Sequence, residues 1–262
     1  MSKPSRAIVQ LSGGGASYVA GLLAMEEFGQ ENTIWLFADV LYEDEDLYRF
    51  LGDIRRRHNI EITTITPGRD PWQVFEDEGM IGNTRADPCS RILKREPLSA
   101  WRDANCDPSL DVTIIGYDAN EEHRWDRLKE RHAPWQMRAP LIEQGIFKEK
   151  VLAIVERNGI RLPRLYGMGF QHNNCGGRCI KQGHAGWALL YKTMPERFLE
   201  VEARERAFRE RTGKDVAICR DRAGGDTMPL PLEALRHRIE REPETIDLFD
   251  WGACQCMEEV AP

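Results

Sequence analysis

The sequence predicts an α/β fold, a doubly wound and mostly parallel sheet, followed by a cysteine-containing, mainly helical C-terminal part. Short apolar runs alternate with helical stretches in the first half of the chain, as expected for a parallel sheet. A glycine-rich turn joins the first run to a helix, and two later runs end in Asp39 and Asp118. Because open α/β sheets bind ligands at the carboxyl ends of their strands, we expect the functional site there.

Most of the predicted strands are nearly continuous apolar runs, which is typical of strands buried on both faces. The predicted strands cover residues 7–11, 33–40, 60–65, 111–118 and 216–219. The predicted helices cover residues 18–25, 47–58, 74–80, 91–102, 121–131, 148–158, 185–192, 196–212 and 231–241. We expect an α/β core at residues 1–140 and a cysteine-rich, mainly helical region at residues 141–262 that packs on it.

The composition is that of an ordinary globular protein. The chain has 262 residues, of which 41% are hydrophobic and 30% charged. The net charge of −7 argues against broad, non-specific binding of nucleic acid. No apolar run approaches the length of a membrane span, and the N-terminus leads directly into the first strand without a secretory pattern. The sequence therefore predicts a cytoplasmic protein with no membrane partner.

Residues 11–17, Leu-Ser-Gly-Gly-Gly-Ala-Ser, form the turn between the first strand and the first helix. Glycines permit positive φ and close approach of the backbone to a ligand. The helix that follows directs unpaired N–H groups and the positive end of its dipole towards the turn. Neither the Walker pattern nor G-x-G-x-x-G is present. The turn predicts a phosphate or pyrophosphate loop flanked by Ser12 and Ser17, with an ordinary glycine turn as the alternative.

Seven cysteines in a chain of this type are not expected to form disulfides. Those in loops or in the polar tail are Cys89, Cys175, Cys179, Cys254 and Cys256. Four cysteines suit a 4Fe–4S cluster or, alternatively, zinc. The preferred ligand set is Cys89, Cys175, Cys179 and Cys256, with Cys254 in place of Cys256 as a variant. Redox-active or sulfur-carrying thiols are the second interpretation, and Cys106 and Cys219 are expected to be inert.

Four segments together resemble the PAPS reductase family of the PP-loop (adenine nucleotide α-hydrolase-like) superfamily. They are S-G-G-x-x-S at residues 12–17, F-A-D at 37–39 with the acids at 43–46, Cys89 with Lys94 and Pro97-Leu98, and G-Y-D-x-x-E-x-x-R at 116–124. Ala16 stands where many members have Asp, and Asp39 is not followed by the usual Thr-Gly. The second half, with C-G-G-R-C at 175–179 and C-Q-C at 254–256, resembles a subgroup common in phages and mobile elements.

The resemblance implies that ATP or a PAPS-like adenine nucleotide binds at the carboxyl ends of the strands. The residues it implies for nucleotide binding are Ser12, Gly13, Gly14, Gly15, Ser17, Asp39, Gly116 and Glu121. Asp39 would lie beside the adenosine or a Mg²⁺ ion, and Lys94 and Arg124 would neutralise phosphate charge. Two related enzymes, APS reductases and the PP-loop subunit of DNA phosphorothioation, carry 4Fe–4S clusters.

The predicted function is that of a PP-loop ATP pyrophosphatase or sulfurtransferase. It would activate an acceptor by adenylation or transfer sulfur, assisted by an Fe–S cluster or reactive cysteines. The catalytic candidates are Cys254, Cys256, Lys94 and Arg124. One alternative is a PAPS or APS reductase that releases sulfite through a C-terminal cysteine, and another is a non-catalytic, metal-stapled module that senses nucleotide. The expected partners are a nucleic acid or small-molecule acceptor and a sulfur donor or thioredoxin-like reductant.

Overall fold

The computed structural model describes residues 4–83, 86–129, 134–221 and 227–252. A five-stranded parallel sheet lies in the first half of the chain, with strand order β3–β2–β1–β4–β5. Its strands are β1 (Arg6–Leu11), β2 (Thr33–Ala38), β3 (Ile62–Ile65), β4 (Asp111–Ile114) and β5 (Gln136–Arg138). A two-stranded antiparallel sheet follows, formed by β6 (Cys219–Asp221) and β7 (Met228–Leu230). The predicted α/β class, with a helical C-terminal part, is confirmed.

Helices cover both faces of the parallel sheet and make up most of the second half of the chain. Those before residue 130 are α1 (Gly15–Phe28), α2 (Glu45–His58), α3 (Pro71–Glu78), α4 (Pro88–Ser90), α5 (Glu96–Asn105) and α6 (Glu122–Lys129). Those after it are α7 (Pro140–Glu143), α8 (Lys148–Arg157), α9 (Arg164–Gly167), α10 (His184–Thr193), α11 (Pro195–Thr212) and α12 (Leu232–Arg241). A π-helical turn at Arg91–Arg95 joins α4 to α5. No helix among the described residues is long and apolar enough to cross a membrane.

The chain reverses its direction of winding between β1 and β4. Strand β1 pairs with β2 on one side, where Val9 lies opposite Trp35, and with β4 on the other, where Val9 lies opposite Ile114. In a doubly wound sheet this reversal leaves a crevice outside the carboxyl ends of the two adjacent strands. The glycine turn after β1 and the Gly-Tyr-Asp turn after β4 therefore lie side by side.

Two hydrophobic cores support this arrangement. In the first core, Val9 and Phe37 of the sheet pack with side chains of α1, α2 and α8. Ile8 and Leu36 point to the opposite face, where they pack with Leu98 of α5. The alternation follows from the two-residue period of a strand. Helix α7, which begins at Pro140, and helix α8 pack against α1, so the segment at and just after the predicted boundary contributes to the first core.

The second core joins segments that are distant in sequence. It combines Val40, Trp72 and Leu93 from the first half with buried side chains of α9 to α12, such as Trp187 and Phe198. Trp187 packs edge-on against Phe198 with ring centroids 6.0 Å apart. The C-terminal helices thus lie on the segment that follows β2, close to the carboxyl ends of the strands. The division of the chain at residue 140 stays a prediction.

Several elements differ from the sequence-based prediction for local reasons. Helix α3 begins at Pro71 rather than at residue 74, because Asp70 and Gln73 form a capping box. Strand β4 ends at Ile114, four residues before the predicted end, and the chain turns at Gly116. The short strand expected at 216–219 is instead β6, which starts at Cys219.

Glu205 joins α11 to both the small sheet and α12. Its buried carboxylate accepts hydrogen bonds from the backbone N–H groups of Ile218 at 2.7 Å and Leu232 at 2.6 Å. Burial raises the pKa of Glu205 to about 7, against the opposing effect of those two hydrogen bonds. Because this value lies above that of an exposed glutamate, the folded state binds the proton more tightly than the unfolded state. Protonation of Glu205 therefore stabilises the fold.

We compare the free energy of unfolding of the wild type with that of Glu205→Gln. We expect the wild-type value to fall relative to the variant by up to about 3 kcal/mol as the pH rises from about 4.5 to about 7. The stabilising contribution is fully present below the unfolded-state pKa and is lost as the pH passes the folded-state pKa. Urea unfolding at a series of pH values measures the difference. Glu210→Gln, on the exposed side of the same helix, is the matched control. A difference between wild type and Glu205→Gln that does not change with pH would contradict the prediction.

Candidate functional site

The glycine loop, residues 12–17, lies at the carboxyl end of β1 and continues into α1. Gly13 has a φ of +81°, in the left-handed region, and a Cβ there would lie 2.5 Å from Cδ1 of Leu47. Gly14 is the N-cap of α1 and makes no side-chain capping bond. The first N–H groups of a helix have no partner within the helix. The loop therefore offers backbone donors at the positive end of the helix dipole.

Two serine hydroxyl groups hold the loop in shape. The backbone N–H of Ser12 donates to Oγ of Ser17 at 3.0 Å, and that Oγ donates to the carbonyl oxygen of Gly14, also at 3.0 Å. The two hydroxyl oxygens are 3.0 Å apart. Because Ser17 uses its proton on Gly14, Ser12 is the donor of that third bond. The hydroxyl group of the buried Ser17 is thus the centre of the loop's hydrogen bonding.

Gly116 brings the end of β4 against this loop. A Cβ at residue 116 would lie 2.4 Å from Cα and 2.5 Å from the backbone nitrogen of Ser17. Contacts this short with backbone atoms cannot be relieved by rotating a side chain. The glycine at position 116 is therefore needed for the two strand ends to meet.

A large cavity of about 550 Å³ opens over the glycine loop. This volume is typical of small-molecule sites. The sequence-predicted residues that line it are Ser12, Gly14, Ser17, Lys94, Gly116, Glu121 and Arg124. The other residues that line it and carry charge or a titratable ring are Tyr117, Asp118, His123, Lys148, Glu149, Tyr166 and His172. The structure thus brings most of the predicted nucleotide-binding residues to one cavity.

Asp39, at the end of β2, accepts two hydrogen bonds from nearby residues, and its predicted role beside a nucleotide or Mg²⁺ stays a prediction. Its Oδ1 accepts hydrogen bonds from the backbone N–H of Leu41 and from the hydroxyl group of Tyr48, both at 2.9 Å. Its neighbour Ala38 lines the large cavity, whereas Asp39 is not among the lining residues. Its observed contacts are therefore local ones that fix the turn after β2.

Glu121 and Arg124 form an ion pair at the edge of the large cavity. Glu121 also accepts a hydrogen bond from the backbone N–H of Asp118, as part of a capping box. Burial raises the pKa of Glu121, and Arg124 opposes this effect. The Arg124 guanidinium lies 4.3 Å from the centre of the Tyr117 ring. This packing holds the cation in place beside the cavity.

Three residues from the second half of the chain were missed by the sequence prediction. Tyr166 accepts a hydrogen bond from the backbone N–H of Gly15 at 3.3 Å, and Asn173 donates to the carbonyl oxygen of Gly13 at 2.9 Å. Lys148 donates to the carbonyl oxygen of Gln171 at 2.6 Å, and burial lowers its pKa. The only local signal was the polar run at 172–174 beside the C-G-G-R-C motif.

Lys94 and Glu43 form a buried ion pair below the large cavity. Lys94 Nζ lies 3.2 Å from Glu43 Oε1, and their side chains are 8% and 0% exposed. The other carboxylate oxygen of Glu43 accepts a hydrogen bond from the backbone N–H of Cys175 at 2.5 Å. Glu43 was not among the predicted site residues. It links Lys94 to the cysteine loop, which is the C-G-G-R-C segment at residues 175–179.

A second, smaller cavity brings three predicted ligands together. Cys89, Cys175 and Cys179 line this cysteine cavity, which has a volume of about 20 Å³, and Lys94 and Lys181 also line it. Lys94 borders both cavities. Among the described residues, no group of three His, Cys, Asp or Glu side chains has an arrangement that could hold a metal ion.

The two C-terminal cysteines follow the last described residue, Gly252. Cys254 and Cys256, predicted as catalytic residues and Cys256 also as a ligand, lie outside the described residues. The preceding Gly252 lines the large cavity and pairs with Gln182 in an isolated antiparallel bridge.

Comparisons with known proteins agree with the motifs. Residues 6–175 match the model of a family described as the phosphoadenosine phosphosulfate reductase domain. No curated protein sequence matches the chain. Among the matching solved structures is the crystal structure of phosphoadenylyl-sulfate (PAPS) reductase from Candida auris in a phosphate complex. The sequence of that protein is 12% identical to this chain. The match covers 65% of this chain and 80% of the other chain, with a TM-score of 0.49.

Proposed function

The chain belongs to the phosphoadenosine phosphosulfate reductase domain family, and from this premise we propose that it binds ATP or a related, PAPS-like adenine nucleotide in the large cavity. Family membership supports a nucleotide-binding enzyme of the sulfonucleotide reductase type at a coarse level. The further proposal is that the enzyme activates an acceptor by adenylation with release of pyrophosphate, or transfers sulfur. The membership in a phage or mobile-element subgroup stays a prediction.

The observation that carries this proposal is the glycine loop at the wall of a cavity large enough for a nucleotide. Backbone N–H groups at a helix N-terminus bind phosphate oxygens well. Lys94, Arg124 and Lys148 line the same cavity and would balance the charge of a phosphate chain. Because Lys94 and Arg124 are held by Glu43 and Glu121, they are positioned before the nucleotide arrives.

The cysteines are proposed to handle sulfur, in one of two forms. A 4Fe–4S cluster or zinc would require Cys256 in addition to Cys89, Cys175 and Cys179. Reactive thiols would require only the three that line the cysteine cavity. Among the described residues no three His, Cys, Asp or Glu side chains are arranged to hold a metal ion, which favours reactive thiols. Iron, sulfide and zinc analysis of protein purified without oxygen distinguishes these forms.

The strict PAPS or APS reductase is the alternative reaction. In it, the thiolate of Cys254 or Cys256 would attack the sulfur of the activated sulfate, and a thioredoxin-like reductant would release sulfite. This route gives no role to the three cysteines of the cysteine cavity, so we rank it second. A non-catalytic, nucleotide-sensing module is the third proposal, and nucleotide binding without turnover would favour it.

We expect Ser17→Ala to weaken ATP binding by about tenfold or more and to remove the ATP-dependent release of AMP and pyrophosphate. The change leaves the half-buried N–H of Ser12 and the carbonyl oxygen of Gly14 without this partner, which costs about 1–3 kcal/mol. Equilibrium binding of ATP and of PAPS, followed by product analysis with each nucleotide, measures the effect and separates adenylation from sulfite release.

Ser109→Ala is the matched control for this experiment, because that hydroxyl group bonds to Asp107 on the surface. We expect it to bind ATP as the wild type does. If neither ATP nor PAPS binds to the wild-type protein, or if Ser17→Ala binds with unchanged affinity, the large cavity is not the nucleotide site.

A further inference from the structure

We propose that Asn173 is a positioning residue for the glycine loop, because its side-chain amide holds the peptide group between Gly13 and Gly14 in the orientation that binds phosphate. The role in phosphate binding rests on the proposed function, whereas the hydrogen bond itself is independent of it. Three features support this role. They are the burial of Asn173, the conformational freedom of adjacent glycines and the contacts that anchor the chain around Asn173.

Asn173 brings a buried amide donor from the second half of the chain to the glycine loop. It is 2% exposed, and its Nδ2 donates to the carbonyl oxygen of Gly13 at 2.9 Å. A buried polar group is costly to leave unpaired, so this bond is expected to persist in the folded chain. Asn173 and Gly14 both line the large cavity. The bond therefore joins two walls of the proposed nucleotide site.

The peptide group between Gly13 and Gly14 needs such a bond, because glycine does not fix its own backbone. Gly13 has a φ of +81°, and the Leu47 side chain lies where a Cβ would be. Glycine adopts positive and negative φ about equally well, so a peptide group between two glycines can turn over at little cost. The group is planar and trans, and its carbonyl oxygen and N–H point in opposite directions. Fixing the carbonyl oxygen of Gly13 therefore fixes the direction of the Gly14 N–H.

The next peptide group, between Gly14 and Gly15, is held by other side chains. Oγ of Ser17 donates to the carbonyl oxygen of Gly14 at 3.0 Å, and the hydroxyl group of Tyr166 accepts from the N–H of Gly15 at 3.3 Å. With Asn173, these side chains hold two consecutive peptide groups of the loop. A peptide group that turned over would direct a carbonyl oxygen towards the anion that an N–H should bind. The affinity of the loop for phosphate thus depends on the orientation of both groups.

The chain is anchored on both sides of Asn173. Before it, Lys148 of α8 donates to the carbonyl oxygen of Gln171 at 2.6 Å. After it, the backbone N–H of Cys175 donates to the buried carboxylate of Glu43. The amide of Asn173 is therefore held in place by contacts that do not involve the glycine loop, so it can restrain a flexible glycine pair.

The first test detects the hydrogen bond in the full chain without nucleotide. Glycine labelled with ¹³C at the carbonyl carbon and with ¹⁵N, in medium with all other amino acids unlabelled, gives carbonyl–nitrogen correlation signals from glycine pairs alone. These pairs are 13–14, 14–15, 176–177 and 224–225. Asn173→Leu, which has a branched side chain without a donor, should move the Gly13 carbonyl resonance to lower chemical shift. Asn173→Ala, which adds no volume, should do the same.

The second test compares ligands that differ in their phosphate groups. Calorimetric titrations use inorganic pyrophosphate, ATP and adenosine. We expect both Asn173 variants to bind pyrophosphate and ATP about tenfold more weakly than the wild type, as for the loss of one buried hydrogen bond. Their affinity for adenosine should be unchanged, because adenosine has no phosphate. A merely structural role for Asn173 would lower all three affinities alike.

Asn32→Leu and Asn32→Ala are the matched controls. Nδ2 of Asn32 donates to the carbonyl oxygen of Phe28 at 2.9 Å, which is the same kind of bond at the same length. Asn32 follows the end of α1, at the opposite end of that helix from the glycine loop. These variants should bind all three ligands as the wild type does, and urea unfolding shows whether their loss of stability matches that of the Asn173 variants.

Each outcome bears on this inference or on the proposed function. An unchanged Gly13 carbonyl resonance, or wild-type affinity for pyrophosphate and ATP in a folded Asn173 variant, overturns the inference and leaves the proposed function standing. Binding of pyrophosphate that depends on Asn173, without binding of ATP or PAPS, refutes the proposed function alone. If the wild-type chain binds neither pyrophosphate nor a nucleotide, both are refuted.

Discussion

Replacing Gly116 with alanine should strongly weaken nucleotide binding by this chain. The new Cβ would lie 2.4 Å from Cα of Ser17 and 2.5 Å from its backbone nitrogen. Because these are backbone atoms, the end of β4 and the glycine loop would have to move apart. The N–H groups at the start of α1 would then lose their arrangement. We expect ATP affinity to fall about 100-fold or more, which corresponds to roughly 2.7 kcal/mol, and stability to fall by about 1–3 kcal/mol.

The matched control is Gly167→Ala in α9. A Cβ at residue 167 has no atom within 4 Å, so this variant should bind ATP with wild-type affinity. Isothermal titration calorimetry gives both affinities, and circular dichroism confirms that each variant is folded. Wild-type affinity in Gly116→Ala would show that the nucleotide does not depend on the contact between β4 and the glycine loop.

Replacing Glu43 with alanine should destabilise the protein by about 3–5 kcal/mol, the usual cost of removing one partner of a buried ion pair. The Glu43 side chain is 0% exposed and holds both the Lys94 ammonium group and the backbone N–H of Cys175. Its loss leaves a buried cation without this carboxylate and a backbone donor without this acceptor. Urea unfolding, followed by tryptophan fluorescence, measures the change in free energy.

Glu45→Ala is the matched control, two residues further along the chain. The Glu45 side chain is 79% exposed and pairs with Arg164 and Arg197. Exposed ion pairs contribute about 0–1 kcal/mol, so the loss in this variant should be small. Equal losses in the two variants would mean that the Glu43 pair has no special role in joining the cysteine loop to the sheet.

The sequence contained enough information for the parts of the fold that depend on local patterns. The apolar runs of β1 and β2 and the glycine loop follow from residues that are adjacent in the chain. The existence of β4 was also predicted from its apolar run, although the strand ends at Ile114 and not at the predicted Asp118. These features define the switch point of the sheet, and the position of the large cavity follows from it.

The remaining parts of the site depend on contacts between distant residues. Asn173 lies 160 residues from its partner Gly13, and Tyr166 lies 151 residues from Gly15. No local pattern marks such pairs. Strand β5 contains only Gln136, Met137 and Arg138, so it has no apolar run to detect. The Lys94–Glu43 pair was likewise hidden, because an acid near a helix N-terminus is expected to be exposed rather than buried.

The second core also determines the order in which the protein folds during synthesis. Its members extend from Val40 to Ile246, whereas the first core extends only to Ile160. Contacts between distant segments form late, and the ribosome releases the N-terminal part first. The sheet can therefore assemble while the last hundred residues are still being made. The wall around Cys89 is completed only when Cys175 and Cys179 have been made, so this thiol stays exposed to solvent until then.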